Sequence, residues 1–358
     1  MDIDEKMKLI EEVGEEIVTL TELRDLLEKK KRPVAYDGFE PSGRLHIAQG
    51  IMRAINTNKM LKAGVHFKFW VADWFAWMNN KMNGDLDKIK EVGKYQIEVW
   101  KACGMDVNKI EFLWASDVMA DREYWKRTVN IARNNTVQRI VRCSQIMGRS
   151  EKDSLSAAQI FYPCMQASDI FHLEADITNL GMDQRKVNVL AREIGPGLGF
   201  WKPVVVSYHM LLGLLPPPAE SITAEEKMMH MKMSKSRPDS AIFMDDSIEE
   251  VNRKIKHAYC PEKIVEANPI LEYCRYIIFE TVDSLKIERS KKYGGDVYAE
   301  SYAQLEKMYA DGDIHPLDLK NAVAFNINKL LDPVRKHFDN NSGARELQER
   351  VNSFQVSR

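Results

Sequence analysis

The run Lys232-Met233-Ser234-Lys235-Ser236, closed by Arg237-Pro238, sets two ammonium groups on a flexible cationic strip. Such a strip suits a polyphosphate whose negative charge grows as it reacts. Far upstream stands Arg44-Leu45-His46-Ile47-Ala48-Gln49-Gly50, whose histidine opens a helix. A helix N-terminus favours phosphate, and an imidazole can hydrogen-bond its oxygens. Either run alone has a plain reading, as a solvated basic loop or as a histidine satisfied by its own backbone. In this order along one chain, they point to ATP chemistry.

Further residues suit a nucleotide and a small polar substrate. Gly38, Ser42 and Gly43 carry little or no side chain, which lets a nucleotide approach the backbone. Gly181-Met182-Asp183-Gln184 offers a carboxylate able to hold both hydroxyls of a ribose, although an aspartate there also suits a helix cap. Tyr162, Gln166 and Asp169 are spaced to share one helical face, as pocket lining or as the wet side of an ordinary amphipathic helix. Asp73, Trp74 and Trp77 are weaker, because an aromatic strand end usually belongs to the core.

The elements that would position these groups alternate. Residues 5–31 carry apolar positions at helical spacing and end at Pro33, predicting a helical hairpin or pair. Strands are expected at 33–39, 65–72, 110–114, 175–180 and 203–207, with helices at 46–64, 86–103, 122–147, 160–173 and 185–193. Alternation of this kind means an α/β fold, a doubly wound, Rossmann-like parallel sheet with helices on its faces. Its ligands bind at the carboxyl ends of the strands, where strand order reverses. The division expected is a helical segment at 1–32, the sheet unit with a helical insertion at 33–215, a linker carrying the lysine strip at 216–246, and a smaller all-helical domain at 247–358. No internal repeat is present.

Composition limits the classes. A chain of 358 residues exceeds what one core usually supports. Lys+Arg 51 against Asp+Glu 53 leaves it near neutral, so a polyanion would need local basic patches. Five cysteines without a Cys-x-x-Cys pair argue against a disulfide framework or a structural zinc site, and no residues are assigned to a metal. The charged start lacks a signal peptide's apolar core and no run is long enough to span a bilayer, so a cytoplasmic protein without membrane contact is expected.

Taken together, Tyr36-Asp37-Gly38-Phe39-Glu40-Pro41-Ser42-Gly43, His46 to Gln49, Tyr162 to Asp169, Gly181 to Lys186 and Lys232 to Ser236 resemble the tyrosyl-tRNA synthetases of the archaeal and eukaryotic type. The resemblance continues through Ala258-Tyr259-Cys260-Pro261, Gly294-Gly295-Asp296 and His315 to Lys320, and so covers most of the chain. It implies a class I enzyme, usually a homodimer, that joins L-tyrosine and ATP into tyrosyl-adenylate and then loads tRNA(Tyr), with Mg2+ accompanying ATP. Carried over, His46, Lys232 and Lys235 would be catalytic and steady the triphosphate. Tyr36 and Asp169 would hold the phenolic hydroxyl, while Tyr162, Gln166 and Gln184 surround the ammonium. Gly38, Gly181, Asp183 and Met233 would complete the ATP site. Arg185 would touch the acceptor stem, and Asp296 an anticodon base in the helical domain.

Two departures stand out. Ala48 and Gln49 replace the glycine and second histidine common in the first motif, and a glutamine never carries charge, so Gln49 is left out of the catalytic set. The approach from Pro216 to Met231 is long, which suggests slow closure. Tryptophanyl-tRNA synthetases share the fold and both ATP motifs, but an indole pocket does not need the Tyr36 and Asp169 pair. An idle RNA-binding relative would not need an intact His46 and both lysines.

Overall fold

The computed structural model describes residues 1–147, 154–218, 231–235 and 237–354. The central sheet has six strands in the order β1-β6-β5-β2-β3-β4. They are β1 Gly14–Val18, β2 Val34–Phe39, β3 His66–Val71, β4 Ile110–Trp114, β5 Ile177–Gly181 and β6 Val204–Tyr208. All neighbours pair in parallel except β1, which runs antiparallel along β6 with Ile17 opposite Val206. Strand order reverses between β2 and β5, so a crevice opens beyond Phe39 and Gly181.

Side chains alternate across the strands and divide the core in two. On one face Ala35, Phe67, Phe69 and Val71 meet Trp100 of α5 (Leu86–Ala102), with the Phe69 and Trp100 rings stacked at 5.0 Å. On the other face Tyr36 and Trp70 meet α7 (Arg122–Arg133) and α9 (Ala157–His172). The cluster on the first face continues into the C-terminal region through Ile255, Leu271, Ile277, Val323 and Phe338. Both faces are covered, so β5 and most of β6 are buried along their length, and β6 is mostly valine.

Three expectations need correction. The opening is not a pair of helices alone: α1 (Ile3–Val13) and α2 (Leu20–Lys29) flank strand β1, because β6 would otherwise leave an edge of unpaired backbone groups. The C-terminal region is not all helical, since β7 (Leu285–Ile287) and β8 (Val297–Ala299) form an antiparallel hairpin carrying the Gly294-Gly295-Asp296 turn. The stretch after the lysine strip is not a loose linker either. Ala241, Ile242, Phe243 and Met244 are buried, and Arg44 clamps Asp245 and Asp246 behind them. Residues 219–230, most of the long approach, and Ser236 lie outside the described residues. No described helix is long and apolar enough to cross a membrane.

Candidate active site

A cavity of about 540 Å³ lies at the switch point. Every residue that the resemblance assigns to tyrosine or ATP lines it, from Tyr36 on β2 to Lys235 on the lysine strip, and Ser42 does too, whereas Gly43 does not. Arg185 and Asp296 do not.

At its inner end Asp169 is 1% exposed and accepts a hydrogen bond from the Tyr124 hydroxyl at 2.7 Å. Burial pushes the Asp169 carboxyl well above the usual range, against the pull of Tyr124. The Tyr36 hydroxyl, also buried, lies near Gln166 and Asp169 without a hydrogen bond of normal length. A phenol placed between them would find a carboxyl and a hydroxyl. Along the wall, the Gln166 amide donates to Gln184 at 3.1 Å and the Gln184 amide to the Ile146 carbonyl at 3.0 Å. Tyr162 sits edge-on to Phe75 and donates to Glu40 at 2.6 Å, as does Asn79. Burial raises the Glu40 carboxyl, with Lys81 the largest opposing influence.

The outer end is cationic. Leu45-His46-Ile47 pairs with Ile242-Phe243-Met244 through the backbone, Ile47 donating to Ile242 at 2.8 Å and Met244 to Leu45 at 2.9 Å. The chain after the lysine strip therefore returns to hold the first motif. His46 is followed by a π-helical turn (Ala48–Met52) that leads into α3 (Arg53–Lys62). Burial and then Lys235 hold the His46 imidazole well below its usual range, and Nδ1 is buried without a partner. The reading of His46 as satisfied by local backbone is thereby removed. Lys235 donates to the Ser42 hydroxyl at 2.9 Å, and burial, aided by Lys81, lowers its ammonium to about 7. Lys232 lies 3.8 Å from Asp183. The turn Met182–Gln184 and α10 (Arg185–Ile194) start without a side-chain cap, so Asp183 is not spent on capping.

Glycines shape the wall between the two ends. A methyl added at Gly38 would meet only ordinary contacts, the nearest Tyr36 Cε2 at 3.6 Å. At Gly181 it would strike Met210 Sδ at 2.6 Å and Asp183 Oδ1 at 2.7 Å. Gly181 is needed by the protein itself, whereas Gly38 faces room.

Some groups of the site had escaped the sequence reading. Tyr124 is one. Another is the buried trio in which Arg53 Nε lies 3.2 Å from Asp37 Oδ2 and Arg53 donates to the Tyr208 hydroxyl at 2.7 Å. Burial raises Asp37 to about 6 despite Arg53, and its Oδ1 has no partner. Asp37 stands in the quoted Tyr36-Asp37-Gly38 run, so a carboxylate beside a glycine on a strand end was the available signal. Asp73 proves structural: Oδ1 accepts from the Trp74 and Ser116 backbones, each at 2.9 Å. Gln49 accepts the Trp100 indole through its backbone carbonyl at 2.6 Å. Arg185 makes a bidentate pair with Glu16 on β1, and Asp296 accepts from the Arg289 backbone at 3.2 Å and pairs with Lys286 at 3.1 Å.

Comparison with known proteins agrees with this geometry. Residues 28–332 match the family described as tRNA synthetases class I (W and Y). The chain is 51% identical to the cytoplasmic tyrosine–tRNA ligase 1 of Arabidopsis thaliana, over all of its own length and 90% of that protein. The tyrosyl-tRNA synthetase of Pyrococcus horikoshii, solved with L-tyrosine, superposes with a TM-score of 0.90 at 38% identity, covering 98% of this chain and all of that one. The Leishmania major enzyme, solved with tyrosinol, gives 0.89 at 44% identity over 99% of this chain, which spans only 61% of that longer protein. A tryptophanyl-tRNA synthetase from Aeropyrum pernix shares the fold alone, at 17% identity and a TM-score of 0.65. The chain belongs to the class I tRNA synthetases for tryptophan and tyrosine, and within them to the tyrosyl enzymes.

Proposed function

We propose that this chain is a tyrosine–tRNA ligase, which activates L-tyrosine with ATP to tyrosyl-adenylate and pyrophosphate and then passes the tyrosyl group to the terminal adenosine of tRNA(Tyr). The observation that carries this reading is the buried Asp169 carboxyl, bonded to Tyr124 and faced by the free Tyr36 hydroxyl. A phenylalanine there would leave buried polar groups unpaired, and that is the penalty a hydrogen-bonding pocket uses to reject it.

The amino acid's carboxylate attacks the α-phosphorus directly, so the first step needs no general base. Positioning and charge neutralisation carry the rate. Tyr162, Gln166 and Gln184 would hold the ammonium and Asp183 the ribose, while Gly38, Gly181 and Met233 complete the nucleotide wall. His46 is kept neutral in this pocket and would donate one hydrogen bond to a phosphate oxygen. Lys232 and Lys235 would follow the charge that develops on the departing pyrophosphate.

Mg2+ is part of the same proposal and would neutralise the phosphates. Among the described residues no group of three or more His, Cys, Asp or Glu side chains is placed to hold a metal. The ion would therefore ride on phosphate oxygens and water, as magnesium commonly does. Arg185 and Asp296 would have to exchange their ion pairs for the acceptor stem and the anticodon. A homodimer fits the apolar side chains Val129, Val137 and Phe161 left exposed on the helices of the 122–172 region. A cytoplasmic setting is proposed because the Arabidopsis relative is named as cytoplasmic.

ATP–pyrophosphate exchange with tyrosine, tryptophan and phenylalanine tests the reading. Exchange supported by tyrosine alone is expected; exchange with tryptophan, or with none of the three, would overturn it.

A further inference from the structure

One residue after β6, His209 is placed between two carboxylates from distant parts of the chain. Its Nδ1 lies 3.1 Å from Glu15 Oε2 on β1, and its Nε2 lies 3.1 Å from Glu272 Oε2 on the helix Pro269–Tyr273. The ring lies flat on Tyr276, with centroids 4.1 Å apart. An ionised carboxylate only accepts hydrogen bonds, so a ring that bonds one on each side must carry a proton on both nitrogens. Burial pulls the His209 imidazole down, but the two glutamates overrule it and hold it at about 9. Arg275, the other charged group acting on Glu15, helps to keep that carboxylate ionised.

Glu272 has a second task. The same Oε2 that meets His209 accepts the Leu212 backbone N–H at 2.9 Å. Leu212 pairs antiparallel with Lys232, and the adjacent Gly213 N–H donates to Met231 at 2.6 Å. Leu214 donates to Ser240 on the far side of the strip. A continuous path therefore runs from the sheet through His209 and Glu272 to the backbone of the first lysine of the strip.

We propose that His209, held as an imidazolium between Glu15 and Glu272, is a positioning residue that fixes Leu212 and through it sets Lys232 against the ATP site. This deepens the tyrosine-activating reading and rests on it. Without the central cation the two glutamates face each other with like charge, Glu272 turns away, and the Leu212–Lys232 pairing loses its anchor. The substrate pocket at Asp169 keeps its own elements.

The test uses the full chain as wild type, His209→Gln and Glu272→Gln. In wild type, 15N spectra of the histidine rings near neutral pH should show His209 protonated on both nitrogens. In His209→Gln, the rate of tyrosyl-adenylate formation should fall by roughly tenfold, the fold-change equivalent of one charged hydrogen bond. The KM for tyrosine should hold, and tryptic cleavage after Lys232 should quicken. A neutral His209 ring in wild type overturns the proposal, as does a folded His209→Gln protein with wild-type adenylation and cleavage. Where His209→Gln fails to fold, Glu272→Gln decides by the same readouts. A wild-type protein with no tyrosine-dependent exchange would sink the functional reading instead, while the ring spectrum and the cleavage after Lys232 still judge the clamp.

Discussion

The two ends of the cavity are built on opposite principles. At the inner end most polar groups are already bonded to one another, Asp169 to Tyr124, Gln166 to Gln184 and Tyr162 to Glu40, with the Tyr36 hydroxyl the exception, on helices and strands packed into the core. At the outer end Lys232, Lys235 and Arg53 crowd His46, and isolated backbone bridges hold the pieces, His46 to Phe243 and Leu212 to Lys232. Selectivity for a small neutral group needs partners that cannot adapt to the wrong substrate, so that end is finished before substrate arrives. Neutralising a triphosphate needs cations that gain when the anion comes, so this end is left under electrostatic tension.

Removing a cation from the tense end should have the largest effect. Lys235→Ala is expected to slow adenylate formation by about 10²- to 10³-fold, as loss of one transition-state donor does. The KM for tyrosine should stay near wild type; single-turnover kinetics decide, and a normal rate would place Lys235 outside the chemistry. The sign of its pH dependence follows from the lowering to about 7. Below that pH the free protein carries the ammonium, and above it does not, so ATP affinity should fall as pH rises through this value. Binding above it should take up a proton, measurable by calorimetry in two buffers and absent in the variant. Stability runs the other way. Between about 7 and the ordinary lysine range the unfolded chain binds a proton here and the folded one does not, so this group makes folding more favourable as pH rises.

At the finished end, Asp169→Ala should lower kcat/KM for tyrosine on the order of 100-fold, because the substrate hydroxyl loses a buried carboxyl partner and Tyr124 keeps only a long contact of 3.5 Å to the Met165 carbonyl. The KM for ATP should not follow. The contrast between the two ends fails if discrimination between tyrosine and phenylalanine survives this change, since selectivity would then have another source.

The same contrast decides what could be read from the sequence. The residues proposed for the chemistry are polar types in a fixed order, so His46, Asp183, Lys232 and Lys235 stand out, and the alternation of short strand-like runs with helical spacing announces a buried parallel sheet. Strand β1 was hidden because Val13 and Ile17 continue the helical spacing of α1, and the free edge of β6 alone decides the matter. The hairpin of β7 and β8 is too short to show a period of two. Tyr124 could not be found either, since its pairing with Asp169 is made by the packing of α7 on α9, and nothing in local spacing records that. The Asp37, Arg53 and Tyr208 trio comes from three separate elements for the same reason.

The smallest effect expected is also the cleanest probe of where the two ends meet. Gly38 lies on the wall between them, and a methyl there would touch the protein only at ordinary distances, 3.6 Å from Tyr36 and 3.8 Å from Trp70. Its φ is not in the left-handed region, so alanine introduces no backbone strain. Gly38→Ala should therefore fold with an unchanged or slightly raised Tm, since alanine restricts the unfolded chain. The methyl instead takes space from the nucleotide, and a one-carbon overpacking of this kind corresponds to roughly a tenfold rise in the KM for ATP. The KM for tyrosine should hold, because the Asp169 end is untouched. Gly181→Ala cannot separate these effects, since its methyl collides with Asp183 and Met210 and must move them. If Gly38→Ala binds ATP as wild type does, the nucleotide does not pass over this glycine, and the cationic end must receive its phosphates from another direction.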